Sequence, residues 1–166
     1  LLDTDFEANL EEDRRITHYL YGGDWDNRLK QEILLGIGGV RALTMLRVDR
    51  QVYHCNEGHA AFIGLERIRN LVMRRRLSFA EALEAVRSTS LFTTHTPVPA
   101  GHDAFPEAMI RQYLSHYPAE LGIDWAQFVG LGRVDPRDAN EKFSMSVLAC
   151  NLSQEVNGVS WLHGEV

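Results

Sequence analysis

Between Arg28 and Leu46 the apolar residues Leu29, Ile33, Leu34, Ile37, Val40, Leu43 and Leu46 recur at steps of three and four. That spacing keeps one face of a helix dry, so residues 28–46 are expected to be helical, with Asp26 or Asn27 as the cap. The helical period returns over 56–77, "NEGHAAFIGLERIRNLVMRRRL". A further helix is expected to open at Ser78, whose partner Glu81 three residues on completes a capping-box pattern, and to run through Val86. Residues 106–117 read as helix, 119–131 as a short helix and loop, and 141–153 as an amphipathic helix. Four runs have β character instead: "LLDTDF" at the start, "VDRQVYHC" over 48–55, "SLFTTH" over 90–95 and "QEVNGVSW" over 154–161. The final "LHGEV" is expected to start another helix. Residues 7–26, with "YLYGGDWDN", form a long connection, and "RVDPRDAN" is a turn cluster.

Strands separated by helices predict an α/β fold, a Rossmann-like parallel sheet with flanking helices and right-handed crossovers. In such sheets ligands lie at the carboxyl ends of the strands. Two polar stretches are placed there by this reading, "HCNEGH" over 54–59 and "THTPVPAGH" over 94–102.

Composition narrows the partners. The chain has 166 residues, 45% hydrophobic and 24% charged, which suits one domain with a core of its own. A net charge of −6 argues against nucleic acid or an anionic membrane as general partners. No apolar run reaches the ~18 residues of a membrane span, and no secretory leader is visible, so the expected compartment is the cytoplasm. Cys55 and Cys150 sit in apolar runs and are expected to be small buried hydrophobes. Both chain ends read as interiors of folded elements, so the chain is expected to be a single partial domain over 1–166.

Among the candidate residues, His95 ends a strand and is followed by Thr96, Pro97, Pro99 and Gly101. The prolines stiffen the bend, which either presents an imidazole, a carbonyl and a hydroxyl to a small polar ligand or is a structural turn. In the other corner, Asn56 is expected to cap the following helix and Glu57 to favour its first turn. His54 and His59 are five apart and lack the HExxH arrangement, so no metal is expected, although His95, His102 or Asp103 could have joined them. Gly36, Gly38 and Gly39 mimic a dinucleotide fingerprint, but they fall inside a helical pattern and read as close-packing residues. Arg74, Arg75 and Arg76 fit the negative end of a helix dipole. No phosphate loop of the Walker type and no G-x-S-x-G setting occurs.

Taken together, "YHCNEGHAAFIGLERIR", "LFTTHTPVPAGHDAFP" and "VNGVSWLHGEV" resemble the α-glucan phosphorylases of glycogen, starch and maltodextrin. The earlier "DRRITHYLYGGD" and "RLKQEILLGIGGVRAL" are similar to the shorter prokaryotic branch. The resemblance implies the later part of the N-terminal domain of a GT-B fold. It implies phosphorolysis of terminal α-1,4-glucosidic bonds by inorganic phosphate, giving α-D-glucose 1-phosphate with retained configuration. The implied partners are an α-1,4-glucan or maltooligosaccharide and phosphate, with a homo-oligomer left open. The implied cofactor is pyridoxal 5′-phosphate, acting through its phosphate, with its lysine in a C-terminal domain outside this chain. Carried over by position, His95 faces the glucosyl unit, Thr96 neighbours the substrate, and Asn56, Glu57 and His59 line the cleft near the acceptor sugar. Two rival readings are a nucleotide-sugar-dependent GT-B glucosyltransferase and a non-catalytic glucan-binding module.

Overall fold

The computed structural model describes residues 2–20, 22–95 and 102–161. Strands β1 (Tyr53–Asn56), β2 (Ser90–Thr94) and β5 (Glu155–Gly158) form a parallel sheet in the order β1-β2-β5. In register, Asn56 lies opposite Thr93, and Thr93 opposite Asn157. All three strands run the same way, so their carboxyl ends share one edge. A second, antiparallel pair joins β3 (Ala104–Phe105) to β4 (Phe143–Ser144).

Helices α4 (Phe62–Arg75) and α5 (Phe79–Arg87) make the crossover from β1 to β2. The predicted capping box opens α5: Ser78 Oγ accepts from Glu81 N, and the Glu81 carboxylate accepts from Ser78 N at 2.8 Å. Arg74 and Arg75 occupy the last turn of α4, as expected for the dipole, and Arg76 closes it with φ 58°. Phe62, Leu65, Ile68, Ala82, Val86 and Phe92 are buried where α4 and α5 meet the sheet. The core continues through Phe143, whose ring stacks between those of Phe62 and Phe128 at 6.4 and 6.2 Å. Phe128 lies on α8 (Trp125–Gly130), beyond α6 (Glu107–Leu114) and α7 (Tyr117–Leu121).

The helix expected over 28–46 is three pieces in line: α2 (Trp25–Ile33), a π turn over Leu34–Gly38, and α3 (Gly39–Met45). Its cap is Asp24, which accepts from Asn27 N at 2.9 Å, rather than Asp26 or Asn27. The reason for the π turn lies across the interface. A Cβ on Gly36 would stand 2.6 Å from Phe62 Cβ and 2.9 Å from Ile63 N. Gly36 therefore permits a close approach of two backbones, the packing role its sequence setting suggested. Nothing lies within 4 Å of a Cβ on Gly39.

Other expectations are corrected. "LLDTDF" is no strand over its described residues. Its polar groups are taken locally, Thr4 N by Thr17 Oγ1 at 3.1 Å and Thr4 O by Asn9 Nδ2 at 2.8 Å. The connection over 7–26 contains the short helix α1 (Glu11–Arg14). The segment 106–117 breaks after Leu114 and restarts as α7, because Pro118 has no N–H to continue α6. The helix expected from 141 begins only at Met145, as α9 (Met145–Asn151), since residues 143–144 pair as β4. Cys55 is buried, but Cys150 is exposed. The helix expected at "LHGEV" lies outside the described residues.

Candidate functional site

At the carboxyl edge of the sheet, β1 and β2 bring their two polar corners into direct contact. His95 follows β2 and is exposed. Its Nε2–H donates to Asn56 Oδ1 at 2.8 Å, and its backbone N–H donates to the Glu57 carboxylate. Asn56 Oδ1 is an acceptor, so Nε2 carries the proton and Nδ1 is the ring's remaining polar atom. The Asn56 amide nitrogen, with two donors, makes no hydrogen bond among the described residues. The ring and the backbone N–H of His95 are thus both held by the opposite corner.

Asn56 does not cap a helix, as its spacing suggested. It ends β1, and α4 begins six residues later, after a 3₁₀ turn over Gly58–Ala60. The cause is Glu57, whose φ of 66° and ψ of 164° turn the chain sharply out of the strand. A non-glycine residue there carries strain of order 1–3 kcal/mol. It is held by its own N–H on Thr93 O at 2.9 Å and by its carboxylate on His95. Gly58 must be glycine, because a Cβ would lie 2.9 Å from Ser146 Oγ and 3.0 Å from Ser146 N.

The same edge holds two residues that sequence reasoning did not single out. Thr93 Oγ1 donates to Asn157 Oδ1 at 2.6 Å and contacts His54 Nε2 at 2.8 Å. The hydroxyl has one proton, so His54 donates to it. Asn157 stands one position before the end of β5, the place corresponding to Thr93 in β2. The readable signal was its position in a third parallel strand. Thr96 lies outside the described residues.

His59 is placed differently from Asn56 and Glu57. It is half-buried on the 3₁₀ turn and lines a cavity of about 560 Å³ together with Arg28, Gln31 and Glu32. Burial, and then the Arg28 charge, hold its pKa below the usual histidine value, so the ring is neutral. Arg28 clamps Asp103, Nη2 to Oδ2 at 2.7 Å, and its Nε lies 3.0 Å from Glu32 Oε1. Asp103 O in turn accepts from Met145 N at 3.0 Å. This clamp fixes the chain just after the segment that follows His95.

Glu32 is 1% exposed. Burial, then the hydrogen bond and charge of Asp103, push its pKa from 4.5 up to about 9, against the pull of Arg28. Asp103 is lowered: burial opposes this, and the hydrogen bonds from Glu32 and Arg28 prevail. Glu32 is therefore held as a neutral acid beside the Asp103 carboxylate, and neither of its oxygens finds a well-aligned hydrogen-bond partner among the described residues. Between 4.5 and about 9 the folded chain keeps a proton that the unfolded chain releases, so this group's contribution is full below 4.5 and declines as pH rises to about 9. Glu32→Gln, which mimics the neutral acid, is expected to flatten that decline. Urea unfolding from pH 5 to 8.5 checks it; an unchanged slope would contradict the assignment.

Among the described residues, no three His, Cys, Asp or Glu side chains are grouped to hold a metal ion. Nor does either lysine suit an aldehyde cofactor. Lys30 is ion-paired to Asp26 at 3.1 Å, which raises its pKa and keeps the amine protonated. Lys142 is exposed. The residues of this chain do not fit the binding of pyridoxal phosphate as a Schiff base. Among the described residues, no helix is long and apolar enough to cross a membrane.

Comparison with known proteins matches residues 42–166 to the family described as carbohydrate phosphorylase. The whole chain aligns at 49% identity with the maltodextrin phosphorylase of Thermococcus litoralis, covering 19% of that protein. It aligns over its whole length at 46% with the glycogen phosphorylase of Mycobacterium tuberculosis, covering 20% of it. With the glycogen phosphorylase of Aquifex aeolicus, the identity is 38% over the whole chain and 24% of the relative is covered. The chain thus spans about a fifth of the length of these relatives.

Proposed function

The chain belongs to the carbohydrate phosphorylase family, and we propose that its sheet edge is the sugar-facing half of an α-glucan phosphorylase site in a longer protein. The observation that carries this is the contact of His95 with both Asn56 and Glu57 at the carboxyl end of parallel strands. A carbonyl and an imidazole held in fixed directions before substrate arrives cost no reorganisation when charge develops at a sugar carbon. The His95 carbonyl belongs to a residue tethered through its N–H and ring, and is suited to face the cationic character of a glucosyl transition state. The unused donors of Asn56 and the ring Nδ1 of His95 are suited to sugar hydroxyls, and Thr96, the next residue in sequence, is proposed as a further substrate neighbour. Glu57 acts here as a positioning residue. His59, neutral and half-buried, is proposed to line the acceptor side.

On this reading the chain is a partial domain, the later part of the N-terminal half of a GT-B fold, and the lysine-bound cofactor and phosphate-gripping groups belong to other parts of the protein. The substrates are an α-1,4-glucan and inorganic phosphate. The names of the relatives include both maltodextrin and glycogen, so the reading commits to the shared α-1,4-linked glucan. The test supplies maltodextrin with phosphate or, separately, with a nucleotide-glucose. The full-length protein is expected to form glucose 1-phosphate in the first case and to leave the nucleotide-glucose unused. The 166-residue chain alone is expected to form none, because neither Lys30 nor Lys142 fits the cofactor. Consumption of the nucleotide sugar, or glucose 1-phosphate from the chain alone, would overturn the reading.

A further inference from the structure

The row of residues across the carboxyl edge of the sheet extends past the His95 corner to β5. In register, Asn56, Thr93 and Asn157 stand side by side on β1, β2 and β5, so their side chains share one face. His54, two residues before Asn56, lies on that face as well. The opposite face holds Cys55 and Phe92, which are buried in the core. Parallel strands made for packing on both faces read as apolar runs. Two asparagines and a threonine in one row, with a histidine beside them, do not follow that pattern.

Thr93 is 7% exposed, whereas Asn56 and Asn157 on either side of it are exposed. Each asparagine has its side-chain oxygen occupied by a fixed donor: Asn56 Oδ1 by His95 Nε2–H at 2.8 Å, and Asn157 Oδ1 by the Thr93 hydroxyl at 2.6 Å. The Thr93 hydroxyl has a single proton; Asn157 takes it, and His54 Nε2–H supplies the bond that Thr93 accepts at 2.8 Å. A chain of donors therefore runs from His54 through Thr93 to Asn157 and sets which way round the Asn157 amide lies. Its Nδ2 keeps two donors, which make no hydrogen bond among the described residues. Asn157 thus repeats, two strands away, the arrangement at Asn56: acceptor locked, donors unused. Strands about 4.8 Å apart put the two backbones about 10 Å apart, with Thr93 as the floor between them.

We propose that Asn157 is a further sugar-binding residue of this edge, donating from Nδ2 to a hydroxyl of the bound α-glucan, with Thr93 and His54 as the positioning residues that hold its amide the right way round. The inference rests on the proposed function and adds to it a contact from β5. With its oxygen engaged, Asn157 offers donors alone, which fixes the polarity of its bond to the sugar. An amide oriented before the glucan arrives loses little freedom on binding it.

The test compares the full-length wild type with Asn157→Asp, Thr93→Val and Thr93→Ser in phosphorolysis of maltodextrin. Asn157→Asp keeps the acceptor for Thr93 and loses both donors. It is expected to raise KM for maltodextrin about tenfold, the upper end of what one hydrogen bond contributes. KM for phosphate is expected to stay within about twofold of wild type and the melting temperature within a degree or two, since an exposed side chain is exchanged for one of the same shape. Thr93→Val removes the lock and is expected to raise the same KM about threefold, and Thr93→Ser, which keeps the hydroxyl, to rescue it. Should Thr93→Val lose its fold, Asn157→Asp decides alone. An active protein in which Asn157→Asp leaves KM for maltodextrin unchanged, or raises both KM values together, would overturn the inference and leave the proposed function standing. A wild type that forms no glucose 1-phosphate from maltodextrin and phosphate would overturn both.

Discussion

His95→Ala, made in the full-length protein, is expected to lower kcat for phosphorolysis by about 10²–10³, the usual cost of losing one preorganised polar group at a reacting centre. The ring of His95 touches Asn56, and the backbone N–H touches Glu57. Removing the ring releases one of two tethers and takes away a polar group that the proposed function directs at the sugar. His95 is exposed, so the substitution opens no cavity and the melting temperature is expected to stay within a degree or two of wild type. KM is expected to change less than kcat, because losing the tether to Asn56 also loosens the residue whose carbonyl is proposed to face the transition state. Initial rates with maltodextrin and phosphate check this. A loss confined to KM, or a kcat within about threefold of wild type, would remove His95 from the chemistry.

Glu66→Ala is expected to destabilise the fold by about 3–5 kcal/mol, because it leaves the buried Tyr117 hydroxyl without its acceptor and takes the shared carboxylate from Arg41 and Arg69. Glu66 is 1% exposed. Its Oε1 accepts from Arg41 Nε at 2.9 Å and Arg69 Nη1 at 3.2 Å, and its Oε2 accepts from the Tyr117 hydroxyl. Arg69 also pairs with Glu120 on α7. One carboxylate therefore ties α4 to α3 and, through Tyr117 and Arg69, to α7. Burial, reinforced by the Glu66 charge, pushes the Tyr117 hydroxyl well above the ordinary phenol range, so the hydroxyl remains a donor. Glu66→Gln keeps an acceptor for Tyr117 and is expected to cost less, about 1–3 kcal/mol. Urea unfolding of the two variants measures both. Equal losses would show that charge is not what joins the helices.

Of the readings that rest on local rules, the capping box survives in the structure, whereas the caps expected at Asp26 or Asn27 and at Asn56 do not. Ser78 and Glu81 cap α5 by chemistry contained in four residues. The meeting of Asn56 with His95 follows from one premise, that their strands are parallel neighbours. What escaped sequence reasoning depends on contacts distant in the chain. The π turn at Leu34–Gly38 answers to Phe62, which no helical period reveals. The delayed start of α4 answers to the positive φ of Glu57, held by Thr93 and His95 from the next strand. Strands β3 and β4 have two residues each, too few to show alternation. Glu32 sits among lysine, glutamine and arginine in sequence, as a solvated face would, yet Arg28 and Asp103 hold it in the interior.

The central claim is spatial: the corner at Asn56–Glu57 and the bend at His95 face one sugar. A crystal structure of the full-length protein soaked with a maltooligosaccharide and phosphate tests it most directly. The account predicts a glucosyl unit with a hydroxyl within about 3 Å of His95 Nδ1 or the Asn56 amide, and the His95 carbonyl directed at its ring. A sugar bound elsewhere, with the His95–Asn56–Glu57 contacts left bare to solvent, would contradict it.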